Sequence, residues 1–425
     1  MIWDLVTLWS GLKLFGQLSK YDMNVQSLFL SVCVILLLGG SHLAPAEILE
    51  VDWSPSDLKL LKSFVDQPTK AADETSRLAQ SPNAVKLGRA LFFDKKLSYD
   101  GTISCADCHN PGSGWTDGRQ VAIAHGRRGK RNSLSLFNVA HFRWFSWDGR
   151  AETLWGQIMY PLVSPDEMGL TDSSAFDILC DDDYKHLVEA SFGIQFTCNY
   201  PMRVGASIAY LAKALAAFVS EIRSGDTPFD RFARGVLSGD ARFQHDMSAS
   251  AINGYRVFVG KGRCNTCHRG YLFSDSEFHD IGIPPVFSDY SKDSGRSGGI
   301  DLVLSAPFRS DSELSGNPGG DEALRLRYLK TYAAAWGQFR TPSLREVAKT
   351  GPYMHEGGFS TLEEVVEFYS TRSNALRAHV HSESLLSPRF FSESEKYDLV
   401  EFLKSLSSDD LKYIPPRSST DGNNN

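Results

Sequence analysis

The sequence has little of three features that would direct its interpretation elsewhere. It contains no long run of lysine or arginine, and its 44 basic and 51 acidic residues leave a net charge of −7. This composition argues against a nucleic-acid partner. Few stretches alternate with the two-residue period of a β-strand, so we expect a mainly helical fold. Cysteine is also scarce, with seven in 425 residues, and four of the seven lie in two short motifs.

The two motifs share the pattern Cys-x-x-Cys-His. They are Cys105-Ala-Asp-Cys108-His109 and Cys264-Asn-Thr-Cys267-His268. In this pattern two thiols attach covalently to a haem, and the adjacent histidine ligates its iron. A zinc site would need a further Cys-x-x-Cys or His-x3-His near each pair, and a disulfide pair leaves the two histidines unexplained. The sequence therefore predicts two c-type haems.

An apolar stretch near the N-terminus, residues 28–38, indicates export. It has the length of a signal-peptide core and is too short to span a bilayer comfortably. We therefore expect residues 1–46 to be a signal peptide and the mature protein to be periplasmic, with an uncleaved membrane anchor as the alternative. Cys180 and Cys198 then form the only cysteine pair without a haem. In an oxidising compartment this pair is either a disulfide or two buried thiols.

Helical periodicity places a helix before each haem motif. One helix is expected from Pro82 onwards and another over residues 251–259, and residues 206–222 form the clearest amphipathic helix. Ser360-x-x-Glu363 and Ser392-x-x-Glu395 are capping-box patterns that open two further helices. Only the helix-to-haem unit is duplicated, because the rest of the two halves differ.

These signals divide the chain into two haem-centred domains. We predict an N-terminal haem domain over residues 47–230, a C-terminal haem domain over residues 231–412, and a disordered tail over residues 413–425. Glycine, serine and aspartate are dense at residues 288–320, which predicts a long surface loop there.

Several separate segments, in order, resemble the bacterial dihaem cytochrome c peroxidases, whose superfamily includes the MauG-type enzymes. The resemblance covers about residues 80–406. It implies a mainly α fold of two cytochrome c-like domains, and an oxidoreductase that reduces hydrogen peroxide with electrons from a small cytochrome c or a cupredoxin. Members are often homodimers, so a homodimer is expected here as well. The matching segments are residues 87–109, 131–133, 147–154, 161–168, 339–345 and 351–357.

The resemblance assigns catalytic roles to four residues of the first half. Gln157 and Glu167 match the family's distal glutamine and glutamate, and the glutamate acts as the acid and base. Pro161 matches the distal-pocket proline, which packs and places water. Trp147 matches the tryptophan between the haems, a relay for electrons. Without the resemblance, Gln157 is interpreted as a surface amide, Glu167 as a carboxylate near a helix start and Trp147 as a core aromatic.

His125 lies where the peroxidases carry a removable histidine ligand on the first haem. Gly126 and Gly129 give its loop freedom to move, and reduction of the second haem is expected to release the ligand and open the site. MauG-type enzymes lack this ligand, so His125 favours a peroxidase. The basic cluster over residues 127–131 is either a solvated loop or a surface for an acidic partner.

The second haem departs from the family pattern. Gln338 stands where the peroxidases carry an axial methionine. Met354 is the substitute, because a thioether favours the reduced iron, and Tyr353 is the rival, because a tyrosinate ligand occurs in the MauG branch. The family also holds a calcium ion through an asparagine side chain and backbone carbonyls, and Asn132 matches that asparagine.

Three functions follow from these residues. The first is a periplasmic peroxidase. The second is a MauG-like enzyme that oxidises a protein or an organic substrate, which Gln338 keeps open. The third is a dihaem electron carrier without a substrate site, against which Gln157 and Glu167 argue.

Overall fold

The computed structural model of the protein describes residues 52–68, 81–193, 197–199, 202–243, 245–287, 293–376, 383 and 386–409. Helices dominate these residues, and the strands form two separate two-stranded antiparallel sheets. The predicted mainly helical fold is therefore confirmed. In chain order the helices and strands are α1 (Pro55–Val65), α2 (Pro82–Phe93), α3 (Cys105–Cys108), β1 (Ile123–Ala124), β2 (Arg127–Arg128), α4 (Leu154–Val163), α5 (Asp172–Leu179), α6 (Asp182–Phe192), α7 (Ala206–Val219), α8 (Pro228–Ser238), α9 (Ala249–Val259), β3 (Phe278–His279), α10 (Arg296–Ser305), α11 (Asp321–Leu326), β4 (Phe339–Arg340), α12 (Leu362–Thr371) and α13 (Glu393–Ser405).

The helix before the first motif, α2, packs closely on α7. It begins after Ser81, whose hydroxyl oxygen accepts a hydrogen bond from the amide of Ala84. At the crossing point, a Cβ atom on Gly88 would lie only 1.9 Å from the carbonyl oxygen of Ala214. The two backbones can approach this closely only because Gly88 has no side chain. The buried residues around the crossing include Leu87, Leu91, Phe92, Trp115 and Phe218.

The helix before the second motif, α9, repeats this arrangement against α13. It begins after Ser248, which caps it through the amide of Ala251. A Cβ atom on Gly254 would lie 1.9 Å from the carbonyl oxygen of Asp398. Each haem motif is therefore preceded by a helix that crosses a second helix at a glycine. Aromatic rings of Phe258, Phe273 and Phe402 fill the space around the second crossing.

Two local expectations differ from the structure. Residues 288–320, expected to be a loop, contain α10, which packs Ile300 and Val303 into the core. The helix forms although its first turn holds two glycines, because tertiary packing outweighs weak local propensity. The capping box of α12 is formed by Thr361 and Glu364, one residue later than expected, whereas the Ser392 and Glu395 box of α13 is confirmed.

The remaining expectations concern the cysteine pair, membrane-spanning helices, the two ends of the chain and the domain boundary. Cys180 and Cys198 form a disulfide, as one of the two alternatives anticipated. Within the described residues, none of the helices has the length and apolar character needed to cross a membrane. The expected signal peptide (1–46) and tail (413–425) lie outside the described residues. The described residues between Trp53 and Asp409 form one compact unit, and the boundary between residues 230 and 231 stays a prediction.

Gly88→Ala and Gly254→Ala should each destabilise the protein. The added methyl group must push two packed backbones apart, which costs about 1–3 kcal/mol. Urea unfolding followed by circular dichroism measures the loss. Gly319→Ala is the matched control, because nothing lies within 4 Å of a Cβ atom there. Equal stability of all three variants would contradict the close crossings.

Candidate haem sites and the distal pocket

The first motif is built on the short helix α3. Ser104 precedes it, and both its amide and its hydroxyl donate hydrogen bonds to the Asp107 carboxylate. His109 follows the helix, and its Nδ1 lies 3.1 Å from the carbonyl oxygen of Trp115. A carbonyl only accepts, so Nδ1 carries the proton and Nε2 is left with a lone pair for iron.

In the second motif the histidine Nδ1 also faces a backbone carbonyl, although the local fold differs. Cys264–Thr266 form one turn of 3-10 helix, and the Nδ1 of His268 lies 2.8 Å from the carbonyl oxygen of Phe273. Burial lowers the pKa of both His109 and His268, which favours the neutral imidazole that ligates iron. Both motif histidines are therefore oriented and kept neutral for axial ligation.

The motif cysteines are unlike those of a thiol–disulfide enzyme. None of the four is in a disulfide, and burial raises the pKa of Cys105 and of Cys264 to about 12. A redox-active Cys-x-x-Cys pair lowers a thiol pKa instead. The geometry therefore fits attachment sites for a haem rather than an exchange-active pair.

A cavity of about 240 Å³ lies directly against the second motif. Cys264, Cys267 and His268 line it together with Met354 and Tyr353, and most of its surface is apolar. A concave apolar pocket with a motif histidine on its wall fits a haem. Both candidates for the sixth ligand therefore line this cavity.

Tyr353 and Gln338 each form a hydrogen bond within the protein. The Tyr353 hydroxyl donates a hydrogen bond to the carbonyl oxygen of Val347 at 3.1 Å, and burial raises the pKa of this tyrosine to about 12. Gln338, at the position of the family's methionine, accepts a hydrogen bond from the Tyr332 hydroxyl at 3.2 Å. Its side chain is therefore engaged in its own loop.

The distal residues of the first site come from α4 and the turn that follows it. Gln157 and Pro161 are one helical turn apart on α4, and the Gln157 Oε1 atom is buried without a hydrogen-bond partner among the described atoms. Such an orphaned acceptor fits a site that a bound group completes. The amide of Met168 donates to the carbonyl of Pro161 at 3.0 Å, which folds the Glu167 turn back against the helix.

Glu167 lies beside the first motif. Burial raises the pKa of the Cys108 thiol to about 11, and the charges of Asp117 and Glu167 add to this effect. Glu167 is an exposed residue, yet the protein atoms near its carboxyl group raise the pKa of that group, while Arg150 acts in the opposite direction. A carboxyl group with a raised pKa next to a reaction site is suited to accepting and returning a proton.

His125 is held by the same turn. Its Nε2 lies 2.6 Å from the carbonyl oxygen of Glu167, and its Nδ1 lies 2.9 Å from the Asp100 carboxylate. The structure therefore places the His125 ring against the backbone of Glu167.

Trp147 lies on the wall of the second cavity and links several segments. Its Nε1 donates to the carbonyl of Asn132 at 2.9 Å, and its own carbonyl accepts from the amide of Arg340 at 2.7 Å. Its ring makes an edge contact with His355 at 6.4 Å, and His355 stacks on Phe339 at 3.7 Å. His355 lies in the segment 351–357 that resembles the family, but no local pattern predicts this stack.

Asn132 is engaged through its amide nitrogen. This nitrogen donates to the carbonyl oxygens of Arg119 and Gln120, so Oδ1 is the side-chain atom that suits a calcium ion. The neighbouring Arg131 forms ion pairs with Asp148 and Asp293. These carboxylates are neutralised by a guanidinium and are poorly suited to share a cation, so calcium stays a prediction.

A second histidine missed by sequence reasoning lies at the second haem motif. His279 contacts Asp275 at 2.9 Å and Glu383 at 3.1 Å. Asp275, His279 and Cys267 form the only group of three metal-ligating side chains detected in the described parts of the chain. Cys267 belongs to the haem motif, so we assign this group to the surroundings of the second haem. Glu383 is 104 residues from His279 in sequence, so no local pattern could reveal the pair.

Comparisons with known proteins point in one direction. A family model described as di-haem cytochrome c peroxidase matches residues 82–238. Methylamine utilization protein MauG of Methylorubrum extorquens is 33% identical over 86% of this chain and 90% of that protein. Cytochrome-c peroxidase IdrP1 of Denitromonas iodatirespirans is 32% identical over 76% of this chain and 81% of that protein. The solved structure of a MauG-like protein associated with microbial copper homeostasis is 28% identical with a TM-score of 0.59, covering 79% of this chain and 92% of that chain.

Replacing Cys264 and Cys267 together by serine should leave one covalently attached haem per chain, whereas two are expected in the native protein. The thioether bonds need both thiols beside His268. The pyridine haemochrome assay on protein stripped of free haem measures the count. Cys180→Ser with Cys198→Ser is the control, because that pair forms the disulfide and should retain two haems. A full complement in the first variant would contradict the assignment.

Proposed function

The chain belongs to the family of dihaem cytochrome c peroxidases and MauG-type enzymes, and from this premise we propose that it reduces hydrogen peroxide to water. The pair formed by Gln157 and Glu167 carries the proposal. One is a buried amide oxygen without a partner among the described atoms, and the other is a carboxyl group with a raised pKa beside the first motif. A pure electron carrier has no use for either group.

The residues of the first site have separable tasks. A haem held by Cys105, Cys108 and His109 supplies the iron at which peroxide is reduced. Glu167 would accept the proton of the inner peroxide oxygen and return it to the outer oxygen. Breaking the O–O bond to give two waters takes two electrons from the reduced donor by way of the haems and two protons from solvent. Gln157 orients the peroxide by hydrogen bonding, and Pro161 shapes the pocket. His125 is the removable ligand that covers this iron when the enzyme rests.

The residues of the second site transfer electrons. Cys264, Cys267 and His268 would hold the second haem, and the Met354 thioether would be the further group available to its iron. The engaged hydroxyl and raised pKa of Tyr353 support this choice over a tyrosinate, since losing the phenol proton is disfavoured. Trp147, on the wall of this cavity, relays electrons towards the first site. The donor is a small cytochrome c or a cupredoxin.

A MauG-like oxidation of a protein or organic substrate is the second candidate. It is favoured by the similarity to MauG of Methylorubrum extorquens and by the absence of methionine at position 338. Steady-state consumption of peroxide with a reduced small cytochrome c separates the two functions. A peroxidase turns over continuously, whereas a MauG-like enzyme stores two oxidising equivalents without such turnover.

We also propose that the protein is exported to the periplasm with removal of residues 1–46. Covalent attachment of haem to Cys-x-x-Cys-His motifs belongs to export, and the Cys180–Cys198 disulfide is consistent with an oxidising compartment. A homodimer, and a calcium ion held in part by Asn132, complete the proposal.

Glu167→Gln should lower peroxide turnover by about 10²–10⁴-fold, because an amide cannot shuttle a proton. Steady-state kinetics with reduced cytochrome c measures the change. Asp166→Asn is the matched control, since Asp166 is an exposed neighbour paired with Arg127, and it should turn over like the native enzyme. Full activity of Glu167→Gln would contradict the assigned role.

Met354→Ala should remove the weak far-red absorption band that accompanies histidine–methionine ligation of oxidised haem, because the thioether is its source. Tyr353→Phe should retain the band and only lose the hydrogen bond to Val347. Absorption spectra of the oxidised proteins distinguish methionine from tyrosine as the sixth ligand. Loss of second-haem ligation in Tyr353→Phe alone would show that tyrosine is the ligand.

His125→Gly should consume peroxide without prior reduction of the enzyme, because nothing then has to leave the first iron. The test compares initial rates of oxidised and half-reduced enzyme for the native protein and the variant. The native protein should show a lag or low rate only in the oxidised state. An unchanged need for reductive activation in the variant would contradict the switch.

A further inference from the structure

His125 sits at the tip of a two-residue hairpin turn. Strands β1 and β2 pair Ile123 with Arg128 and Ala124 with Arg127, so only His125 and Gly126 connect them. Both connecting residues have positive φ, 47° and 73°, which is the geometry of a type I′ turn. The imidazole is therefore carried at the tip of a tight hairpin.

The imidazole is held in a site formed by protein atoms. Nε2 lies 2.6 Å from the Glu167 carbonyl oxygen and Nδ1 lies 2.9 Å from Asp100. The Tyr99 ring packs on it at 4.7 Å, and only 9% of the His125 side chain is exposed. Since a carbonyl oxygen only accepts, Nε2 donates here and cannot offer a lone pair to iron. Docking at this site and ligation through Nε2 therefore exclude each other.

The carboxylate of Asp100 is oriented before His125 arrives. One oxygen, Oδ1, accepts hydrogen bonds from the amide and hydroxyl of Thr102 at 3.0 and 2.8 Å, and from the Ser98 hydroxyl at 3.3 Å. The other oxygen, Oδ2, faces the imidazole. Contacts that fix a charged group in advance reduce the ordering cost of binding.

The walls of the docking site are also fastened to each other. The Tyr99 amide donates to the carbonyl of Met168 at 2.8 Å, which joins the Asp100 loop to the Glu167 turn. The Asp100 loop and the Glu167 turn thus form one connected unit. Arg127 in β2 pairs with Asp166 of the same turn, but both side chains are about two-thirds exposed, so this pair adds little to the connection.

We propose that Tyr99, Asp100 and the Glu167 carbonyl form an off-iron docking site for His125, in which Asp100 is the positioning residue that sets how much of the protein has an open first haem. The proposal rests on the proposed role of His125 as a removable ligand. Because the docked imidazole holds the Glu167 backbone, uncovering the iron and positioning the acid–base carboxylate occur in one movement. The two positions of His125 are in equilibrium, and contacts at either one shift it.

The test is the ratio of ligated to open first haem in the complete two-haem protein, measured by electron paramagnetic resonance in the half-reduced state. Asp100→Asn keeps the size of the side chain and its Oδ1 acceptor but puts an amide donor in place of the Oδ2 acceptor that faces the imidazole. It should raise the low-spin, bis-histidine share relative to the open share by about tenfold, the scale of a charged hydrogen bond. Tyr99→Ala should shift the ratio the same way by a smaller factor.

Two controls separate the outcomes. Asp166→Asn removes a carboxylate of the same turn that does not contact His125, and its ratio should match the native protein. An unchanged ratio in both Asp100→Asn and Tyr99→Ala, together with loss of the low-spin form in His125→Gly, would overturn the docking site and leave the removable ligand intact. Identical spectra of His125→Gly and the native protein in every redox state would overturn both the docking site and the ligand role.

Discussion

The arrangement of the protein depends on one hydrogen bond made twice, from the Nδ1 of a motif histidine to a backbone carbonyl. His109 makes it to Trp115 and His268 makes it to Phe273. Each bond fixes the tautomer and the ring direction, so that Nε2 is available to iron. The helix crossings at Gly88 and Gly254 position the two motifs. The hydrogen bonds from Nδ1 to the backbone carbonyls then orient each motif histidine for ligation.

What surrounds the two histidines makes them unequal. The first has movable or reactive groups around it, namely Glu167 with its raised pKa and His125 on a hairpin tip. The second has a mostly apolar cavity whose wall carries Met354, Tyr353 and Trp147. Polar groups with protons to transfer suit chemistry on a small substrate, whereas an apolar site with a fixed ligand suits electron transfer, because little has to reorganise. The proposed division of tasks therefore rests on the surroundings of the two motifs and not on the motifs themselves.

Local patterns predicted much of this molecule. The haem motifs, the helices before them and the Ser392 capping box depend on residues a few positions apart, and a sequence displays such spacing directly. The resemblance to a family added Gln157, Glu167 and His125, which no local pattern distinguishes from surface residues. Long-range packing escaped both approaches. The helix Arg296–Ser305 forms in a glycine-rich stretch because its apolar residues are buried, and the contact of His125 with the Glu167 carbonyl joins positions 42 residues apart.

The central claim is that the first iron can open for peroxide while the second stays six-coordinate. Electron paramagnetic resonance of the native two-haem protein, recorded oxidised and half-reduced and again after adding one equivalent of peroxide, tests it most directly. The account predicts that half-reduction exposes a high-spin first haem whose signal peroxide abolishes, while the second haem keeps six ligands throughout. Two haems that both stay low-spin and unreactive in the half-reduced protein would contradict it.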